Sequence, residues 1–544
     1  MKYVGARYVP KFMGTYDPTQ DYEALSVVDN GMGTSYVSNK PAPAGTPLTD
    51  TDYWALYGAT SGAIINLQEQ IDALKEIAVT PEMFGAEGDG YTDDSAAIQQ
   101  AVNMSKLVFM QNDYLVNTGV TIPAGVRVFG PGTVIAGDHI NTFTVSGNNI
   151  IEGLSFTDST ALENEWAHIY GIDVNNVTVN GCTFSTIGLG YAVLFDHSTR
   201  INVVNNVIEN YAFGGIMFMH TCSHSVIEHN RVYNSRWRGA DHNYPICISG
   251  YQDHDFGPAH HIKCNFNYIE ELAPWWEGID SHGCNNYEII GNTILNTFRG
   301  IALGYKRTGG TAFTRSNCDS IIRDNVIVTG KPTDISYEYS TGIHIASGDD
   351  CNTFNLEIRN NNLTCDSQGD SVMAAGISAI ALLCENGNIK NIVIENNYID
   401  ATHINGIGIG CASASNILIK NNYIARLTGE YYGIFMADML DFENVHVVDN
   451  TTQGDIAVTC RAFRGPRYAS TVRRNLVDVQ NFLSDLEFGT IDYTTIPHPT
   501  AGITYTQKPN GADGQFIPSK IADTFGYICQ SSGTWIAVTG TTVT

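Results

Sequence analysis

The chain has 544 residues, too many for one ordinary hydrophobic core, so its length predicts several domains or a repeat architecture. Its net charge of −27 excludes nucleic acid as a partner, because no basic surface is available to release counterions from phosphate. No apolar run reaches the roughly 18 residues of a membrane span, and residues 1–16 contain no apolar secretory core, so we expect neither membrane insertion nor a signal peptide. The 12 cysteines are scattered singly, which indicates buried free thiols in a reduced protein rather than a disulfide or zinc framework.

Residues 1–58 are rich in Tyr, Gly, Pro and Thr and predict a small β-rich module, which resembles known virion-attachment and sugar-binding modules. Its aromatic residues either stack on sugars or form the core of the module. Residues 59–79 predict a short helix that sets three chains parallel as a coiled coil. The apolar residues of this helix follow a/d spacing: Ile64, Leu67, Ile71 and Leu74.

Residues 81–102 read PEMFGAEGDGYTDDSAAIQQAV, in which Asp93 or Asp94 can cap a helix that closes the end of a solenoid. The acidic run that includes Asp89 could instead bind a cation. The segment resembles the opening signature of the pectate-lyase-3 superfamily, found at the start of many phage tailspikes. Together with the repeat that follows it, the resemblance covers residues 80–455. It implies an all-β fold, a right-handed, single-stranded parallel β-helix.

One motif recurs through the middle of the chain: apolar, any, apolar, any, polar, Asn, any, apolar. The ladder asparagines defined by this motif are Asn206, Asn230, Asn267, Asn292, Asn325, Asn361, Asn397, Asn422 and Asn450. Their spacings of 24, 37, 25, 33, 36, 36, 25 and 28 residues indicate a coil of about two dozen residues that is elongated at particular places. We expect the Asn side chains to hydrogen bond from coil to coil and the Asn backbone to be left-handed.

A second strand pattern, Gly-Ile-any-apolar, recurs between the Asn motifs. It begins at Gly215, Gly278, Gly300, Gly342, Gly376, Gly406 and Gly433. Parallel stacking would align the outward residues of these strands in rows about 4.8 Å apart. The predicted central row comprises Met217, Asp280, Ala302, His344, Ser378, Gly408 and Phe435. Long coils would surround this row with loops, where such folds place function.

The densest group of reactive residues is the segment 273–283, APWWEGIDSHG. Carboxylates can supply the acid and the base or nucleophile of glycoside hydrolysis, and adjacent Trp residues can form a platform for sugar rings. The predicted catalytic residues are Asp280, Glu277, His282 and His344. The alternative is that the two Trp pack a loop onto the coil and that Asp280 only bonds His282. Spacing alone leaves retaining and inverting chemistry both open.

Basic and aromatic residues border the same face and complete the predicted substrate site. The predicted substrate-binding residues are Trp275, Trp276, Arg299, Lys306, Arg307 and Tyr339. The three cations could neutralise a uronic acid, and in a lyase one of them could abstract the proton beside the carboxylate. No metal site and no required cofactor are predicted, with a structural or lyase-type Ca²⁺ as the alternative.

Residues 456–544 contain an Arg cluster followed by short Gly- and Thr-rich strands, which predicts a small C-terminal β domain. Taken with the resemblance, the sequence predicts a homotrimeric tailspike on a phage virion that binds, and cleaves, a bacterial surface polysaccharide. Hydrolysis is favoured over a lyase reaction. We expect synthesis in the host cytoplasm, release by lysis and attachment to other tail proteins through the N-terminus. The alternatives are a glycan-binding fibre without activity, a purely structural fibre and a secreted enzyme.

Overall fold

A computed structural model of the chain divides into two compact units, residues 1–79 with 103–108 and residues 80–102 with 109–544. The structure describes residues 10–32, 34–59, 78–138, 140–158, 166–185, 190–211, 213–235, 243–248, 259–272, 274, 276–283, 285–304, 317–330, 340–347, 352–366, 377–425, 431–439, 441–453, 456–460, 471–473, 476–477, 516–518, 524–529 and 535–539. Most of the predicted coiled coil, residues 60–77, lies outside these ranges.

The first unit contains a four-stranded sheet in which a parallel pair is extended by two antiparallel strands. The strands are Lys11–Thr15, Ser26–Asp29, Thr34–Ser38 and Trp54–Ala59. Tyr22 and Trp54 are buried with their ring centroids 5.3 Å apart, and Tyr16 packs against both. The Tyr16 hydroxyl and the Trp54 indole nitrogen both donate to the carbonyl oxygen of Thr46, at 2.6 and 3.3 Å. These three aromatic residues therefore form the core of the module.

A 3-10 helix, Pro81–Phe84, and an α-helix, Ser95–Met104, begin the second unit. The α-helix is present as predicted, and Asp93 caps it by accepting a hydrogen bond from the backbone nitrogen of Ser95 at 3.1 Å. The carboxylate of Asp94 accepts from the backbone nitrogens of Glu87 and Gly88. Backbone N–H groups therefore bind the carboxylates of Asp93 and Asp94. Among the described helices, none is long and apolar enough to cross a membrane.

The second unit is a parallel β-helix, which confirms the predicted fold class. Each coil contributes a face strand, a ladder strand that precedes the Asn position, and a short closing strand that follows it. The face strands are Val120–Ile122, Phe143–Val145, Ala167–Ile172, Tyr191–Asp196, Gly214–Met219, Tyr244–Cys247, Glu277–Ser281, Arg299–Leu303, Thr341–Ser347, the first part of Ser378–Glu395, the first part of Asn405–Lys420, Ile434–Met439 and Ile456–Cys460.

The other two strands of each coil stack in the same way, each pairing in parallel with its counterpart one coil on. The ladder strands are Arg127–Phe129, Ile150–Glu152, Asn175–Asn180, Thr199–Val204, Ser223–Glu228, His260–Asn265, Tyr287–Ile290, Asn317–Arg323, Thr353–Arg359, the ends of Ser378–Glu395 and Asn405–Lys420, Asp441–Val448 and Thr471–Arg473. The closing strands are Asp89–Asp93, Asp113–Val116, Thr133–Ala136, Ser155–Asp158, Thr183–Ser185, Val207–Glu209, Arg231–Tyr233, Tyr268–Glu270, Thr293–Thr297, Val326–Thr329, Asn362–Asp366, Tyr398–Thr402, Tyr423–Ala425, Thr451–Thr452 and Leu476–Val477. A further strand is Leu107–Phe109.

Parallel pairing continues past residue 455, since Ile456–Cys460 pairs with Ile434–Met439 and Thr471–Arg473 pairs with Asp441–Val448. Beyond it, the described residues form an antiparallel three-stranded sheet of Phe516–Pro518, Thr524–Cys529 and Trp535–Thr539. The described cysteines are free and buried, as predicted. They are Cys182, Cys222, Cys247, Cys264, Cys365, Cys384 and Cys411.

The ladder asparagines form a continuous chain of buried hydrogen bonds, which confirms the predicted stacking. Each side-chain amide donates to the side-chain oxygen of the next ladder asparagine at 2.9 to 3.1 Å, from Asn206 to Asn450. The same oxygen also accepts from a backbone nitrogen one coil back, as Asn325 does from Asn292 at 2.9 Å. Every ladder asparagine is at most 1% exposed, so these bonds are shielded from water.

The left-handed residue is the one before each ladder asparagine, so the predicted backbone position was wrong by one. Asn205, Asn360 and Asn396 have φ values of 58°, 54° and 57°. A second, exposed amide ladder was not predicted: the side-chain amide of Asn391 donates to Asn355 at 2.8 Å and that of Asn416 donates to Asn391 at 2.9 Å. Short polar side chains tolerate left-handed backbone, which is why Asn recurs at both turns.

The face strands align through stacked isoleucines that point into the core. These are Ile216, Ile246, Ile279, Ile301, Ile343, Ile380, Ile407 and Ile434, each 0% exposed. The predicted alignment is wrong in one coil, because Ile380 rather than Ile377 occupies the core position and His344 pairs with Ala381 rather than Ser378. In the sequence AAGISAIALL, either Ile377 or Ile380 could begin the alternation of inward apolar residues. Ile380 takes the inward position because it stacks on Ile343 of the preceding coil.

We predict that Asn325→Ala destabilises the β-helix strongly. It would leave the backbone nitrogen of Asn292 and the carbonyl oxygen of Ile289 without their buried partner. Because each such group costs about 1–3 kcal/mol, we expect the free energy of unfolding to fall by about 3 kcal/mol in a denaturant titration. Asn391→Gly, in the exposed ladder at φ 57°, is the control and should cost less than about 1 kcal/mol. Equal effects would contradict a dominant role for the buried ladder.

Candidate functional site

The strand Glu277–Ser281 carries two acidic side chains on the face of the β-helix. Ile279 points into the core, and Asp280 occupies the neighbouring outward position. Asp280 pairs with Cys247 on the preceding coil and with Ala302 on the following one. Glu277 and Asp280 are only 5% and 3% exposed, so their carboxyl groups lie in a largely dry environment.

Polar contacts from three coils converge on this acidic pair. The Nη1 atom of Arg299 donates to Oε1 of Glu277 at 2.8 Å. The thiol of Cys247 donates to Oδ2 of Asp280 at 3.3 Å, and Nε2 of His282 lies 3.5 Å from the same oxygen. The site is therefore assembled by the register of neighbouring coils.

The environment of the pair changes its protonation. Burial, the charge of Asp280 and a hydrogen bond to Asp280 raise the pKa of Glu277 to about 8, with Arg299 opposing the shift. Burial also raises the pKa of Asp280, but hydrogen bonds from Glu277 and Cys247 oppose it. Glu277 therefore holds the shared proton at neutral pH, and Asp280 accepts hydrogen bonds as the anion. Such an arrangement can both donate and accept a proton at the same pH.

Aromatic residues enclose the pair on one side. Trp276 stacks on Phe298 with ring centroids 6.2 Å apart, and the guanidinium of Arg299 lies 5.2 Å from the Phe298 ring centre. Burial and the charge of nearby Asp280 raise the pKa of Tyr244, whose side chain lies close to the acidic pair. Trp276 is therefore partly buried and packs against Phe298.

His344 lies in the row of Asp280 but two coils away, with the small residue Ala302 between them. Rung spacing places it roughly 10 Å from Asp280, as predicted. Burial and the charge of Arg299 lower the pKa of His344 well below the usual value, so its imidazole is neutral. Its Nδ1 atom is buried and makes no hydrogen bond to the described residues.

Apolar side chains continue the central row on both sides of the acidic pair. Towards the N-terminus, Leu194, Met217 and Cys247 pack with the rings of Tyr191 and Tyr244. Towards the C-terminus, the rings of Tyr432 and Phe435 stack with centroids 5.0 Å apart. The face thus presents a buried charged centre between two apolar surfaces that contain aromatic rings.

The structure brings together Glu277, Asp280, His282, Arg299 and Trp276 and places His344 two coils away. The predicted residues Trp275, Lys306, Arg307 and Tyr339 lie outside the described residues. Sequence reasoning missed Cys247 and Tyr244, because their strand begins Tyr-Pro-Ile instead of Gly-Ile. The 37 residues between Asn230 and Asn267 span a full coil. A full coil contains a face strand, so this spacing indicated one between the two asparagines.

No protein-family model matches the chain. The chain is similar to the pre-neck appendage protein of Bacillus phage phi29, at 27% identity over 175 residues that cover 26% of this chain and 20% of that protein. It is also similar to a depolymerase described as capsule K30/K69-specific from Klebsiella phage K64-1, at 23% identity over 286 residues that cover 49% of this chain and 37% of that protein. The chain thus has relatives among phage appendage and capsule depolymerase proteins, and the matches span a fifth to about two fifths of their length.

Several solved structures resemble the chain at low identity. Tailspike protein 3 of bacteriophage CBA120 is 12% identical, with a TM-score of 0.42 over 97% of this chain and 85% of that one. The pre-mature gene product 12 of bacteriophage phi29 is 14% identical, with a TM-score of 0.48 over 73% of this chain and 56% of that one. At these TM-scores the likenesses carry no argument about function.

We predict that Glu277→Gln makes the protein relatively more stable as the pH rises. The folded protein keeps the Glu277 proton up to about pH 8, whereas the ordinary pKa is 4.5. Between these values the unfolded state binds fewer protons, so the stability of the wild type falls as pH rises. Glutamine does not titrate and still offers a donor to Asp280 and an acceptor to Arg299. The Tm of the variant minus that of the wild type should increase from pH 5 to pH 8, and a constant difference would contradict a protonated Glu277.

Proposed function

We propose that this protein is a phage tailspike that binds and hydrolyses a bacterial surface polysaccharide at the Glu277 and Asp280 pair. The observation that carries this proposal is the pair itself: two buried, hydrogen-bonded carboxyl groups on the outer face of a β-helix, with the pKa of one raised to about 8. Burial of two carboxyl groups is costly, and active sites are where such groups with shifted pKa values concentrate.

We assign the proton donor to Glu277 and the stabilisation of positive charge to Asp280, because two hydrogen-bonded carboxyl groups stand too close together to hold a water between them. Glu277 is protonated at neutral pH and gives its proton to the glycosidic oxygen as the bond to the sugar carbon breaks. Asp280 stabilises the positive charge that develops on the sugar carbon, and the carboxylate of Glu277 then takes the proton of the attacking water. Arg299, 2.8 Å from Glu277, stabilises the carboxylate that remains after proton donation. His282 and Cys247 orient Asp280 through its Oδ2 atom.

The shape and chemistry of the face support a polymer as the substrate. Parallel coils extend the face in one direction, and aromatic rings lie in or beside the row of Asp280 on both sides of the acidic pair. Aromatic rings present the apolar surface on which sugar rings pack. The Klebsiella phage relative, described as a capsule-specific depolymerase, supports the same substrate class.

The relatives from phages also support a virion tail location for this chain. For a protein in that location we propose synthesis in the host cytoplasm and release by lysis. We further propose that three chains assemble through residues 59–79 and that the N-terminal module binds other tail proteins. No cofactor is required for the proposed hydrolysis, since both proton transfers are assigned to side chains.

We predict that Asp280→Asn abolishes cleavage while retaining polysaccharide binding. The substrates would be purified capsular polysaccharides, including those of the K30 and K69 serotypes, and the readout is release of reducing ends with mass spectrometry of the products. Loss of a group that stabilises charge in the transition state typically lowers the rate by about 10²- to 10³-fold, so a loss of at least this size is expected.

Asp400→Asn is the matched control for this experiment, because Asp400 is also a buried aspartate but lies in a closing strand. It should cleave like the wild type. Equal cleavage by Asp280→Asn and wild type would remove the site assignment. Binding without cleavage by the wild type would favour the glycan-binding alternative, and products that absorb ultraviolet light would indicate a lyase reaction with the neutral His344 as the base.

We predict that the full chain is a trimer in solution. Light scattering after size-exclusion chromatography should give three times the chain mass of 59.3 kDa. Replacing Ile71 and Leu74 by serine removes two a/d residues of the predicted coiled coil and should yield a smaller assembly. A monomeric wild type would contradict the proposed assembly without affecting the site.

A further inference from the structure

Two histidines and an aspartate meet at the edge of the face, away from the acidic pair. Asp196 ends the strand Tyr191–Asp196, and His197 follows it. His220 follows the next face strand, Gly214–Met219. Because Asp196 pairs with Met219, His197 and His220 occupy equivalent positions on neighbouring coils. The 24 residues between Asp196 and His220 are one minimal coil.

The three side chains converge on one point. Nδ1 of His197 lies 2.8 Å from Oδ1 of Asp196, and Nδ1 of His220 lies 2.6 Å from the same oxygen. The two imidazole rings stack with centroids 4.6 Å apart. Among the described residues, this is the group of three His, Cys, Asp or Glu side chains whose potential metal ligands all lie within 4.8 Å of one another.

We propose that Asp196, His197 and His220 bind a divalent transition-metal ion of the Zn²⁺ class. Two imidazoles and one carboxylate form a ligand set that suits Zn²⁺, Ni²⁺ or Co²⁺, whereas Ca²⁺ and Mg²⁺ prefer oxygen ligands. The side chains are between 13% and 22% exposed, which leaves water access to complete the coordination. The metal replaces the hydrogen bonds that the histidines make to Asp196.

Metal binding requires only a small adjustment of the cluster. Ligands about 2.0–2.1 Å from a tetrahedral Zn²⁺ stand roughly 3.3 Å apart. The imidazole nitrogens must therefore withdraw from the Asp196 oxygen by about half an ångström, which side-chain rotation supplies. A bound ion would tie two neighbouring coils together and would raise the stability of the folded state by mass action.

The chain contains a second histidine stack that serves as a comparison. His224 and His261 also stack across neighbouring coils with centroids 4.6 Å apart, and His260 lies next to them. That group contains histidines alone, with Nδ1 of His260 2.9 Å from Nδ1 of His261. The carboxylate of Asp196 is the feature that distinguishes the proposed site from an ordinary stack of rings.

The proposed metal site is independent of the hydrolysis proposed above. In the parallel register, Leu194 and Asp280 are separated by three rungs, so Asp196 lies roughly 14 Å along the stack from the acidic pair. A failure of metal binding would leave the assignment of Glu277 and Asp280 untouched. Likewise, an inactive protein could still bind the metal.

The backbone conformation at these histidines allows substitution by asparagine without strain. His197, His220 and His261 have φ values of 45°, 42° and 55°, in the left-handed region that asparagine tolerates well. Asn therefore removes each imidazole while keeping the turn. His261→Asn is the matched control for His220→Asn, because the residue, the backbone region and the ring stack correspond. Asp196→Asn removes the carboxylate and keeps both imidazoles.

The test uses the full-length protein after treatment with a chelator and dialysis. Calorimetric titration with ZnCl₂ should give one ion per chain for the wild type and for His261→Asn. Titration with CoCl₂ should give visible d–d absorption with the same stoichiometry. His220→Asn and Asp196→Asn should each weaken binding by roughly tenfold or more. Binding should also weaken as the pH falls, because protons compete for the ligand nitrogens.

Thermal unfolding without metal provides the folding check, and each variant should match the wild type closely. Saturating ZnCl₂ should then raise the Tm of the wild type and of His261→Asn but not that of His220→Asn. Absence of stoichiometric binding by the wild type would overturn the proposal. So would equal affinity in Asp196→Asn and wild type, or a loss of binding confined to His261→Asn.

Discussion

The hydrogen bond between the side chains of successive ladder asparagines is the interaction on which the β-helix depends. Each ladder amide donates to the next coil and to a backbone carbonyl, and its oxygen accepts a backbone N–H and a side-chain N–H. A shift of one residue in any coil would leave several of these groups unpaired in a dry interior. Because that cost is about 1–3 kcal/mol for each group, the ladder fixes the register of every neighbouring strand.

The fixed register of neighbouring face strands brings together the residues of the acidic site. Glu277 and Asp280 come from one strand, but Cys247 and Arg299 reach them from the coils before and after. The same alignment leaves the two carboxyl groups only 5% and 3% exposed. Low exposure then raises the pKa of Glu277, so the proton needed for glycoside cleavage is a consequence of packing. Register also brings together Asp196, His197 and His220. Asp196 pairs with Met219, so the histidines that follow these two residues lie on neighbouring coils.

The sequence alone predicts the coils because the repeat is periodic, and it predicts that Glu277 and Asp280 lie together because one motif carries both carboxyl groups. It fails where periodicity is ambiguous or absent. Ile380 competes with Ile377 for the core position, and only stacking on Ile343 decides between them. Cys247 lies in a strand without the Gly-Ile pattern, so its contact with Asp280 depends on a register that the chain spacing alone does not give. The left-handed turn residue was misplaced because Asn occupies both adjacent positions in many coils.

The acidic pair lies in a short coil between longer ones. The ladder links equivalent positions of successive coils, so a coil with more than the minimal 24 residues carries additional residues between its strands. Asn267 and Asn292 bound a short coil of 25 residues, which contains Glu277 and Asp280. The coil before it has 37 residues, and the two coils after it have 33 and 36. The acidic residues therefore lie in a coil with only one residue beyond the minimum, between coils that carry many more. Their position is accordingly set by the register of the strand Glu277–Ser281 with its two neighbours, which also buries the carboxyl groups.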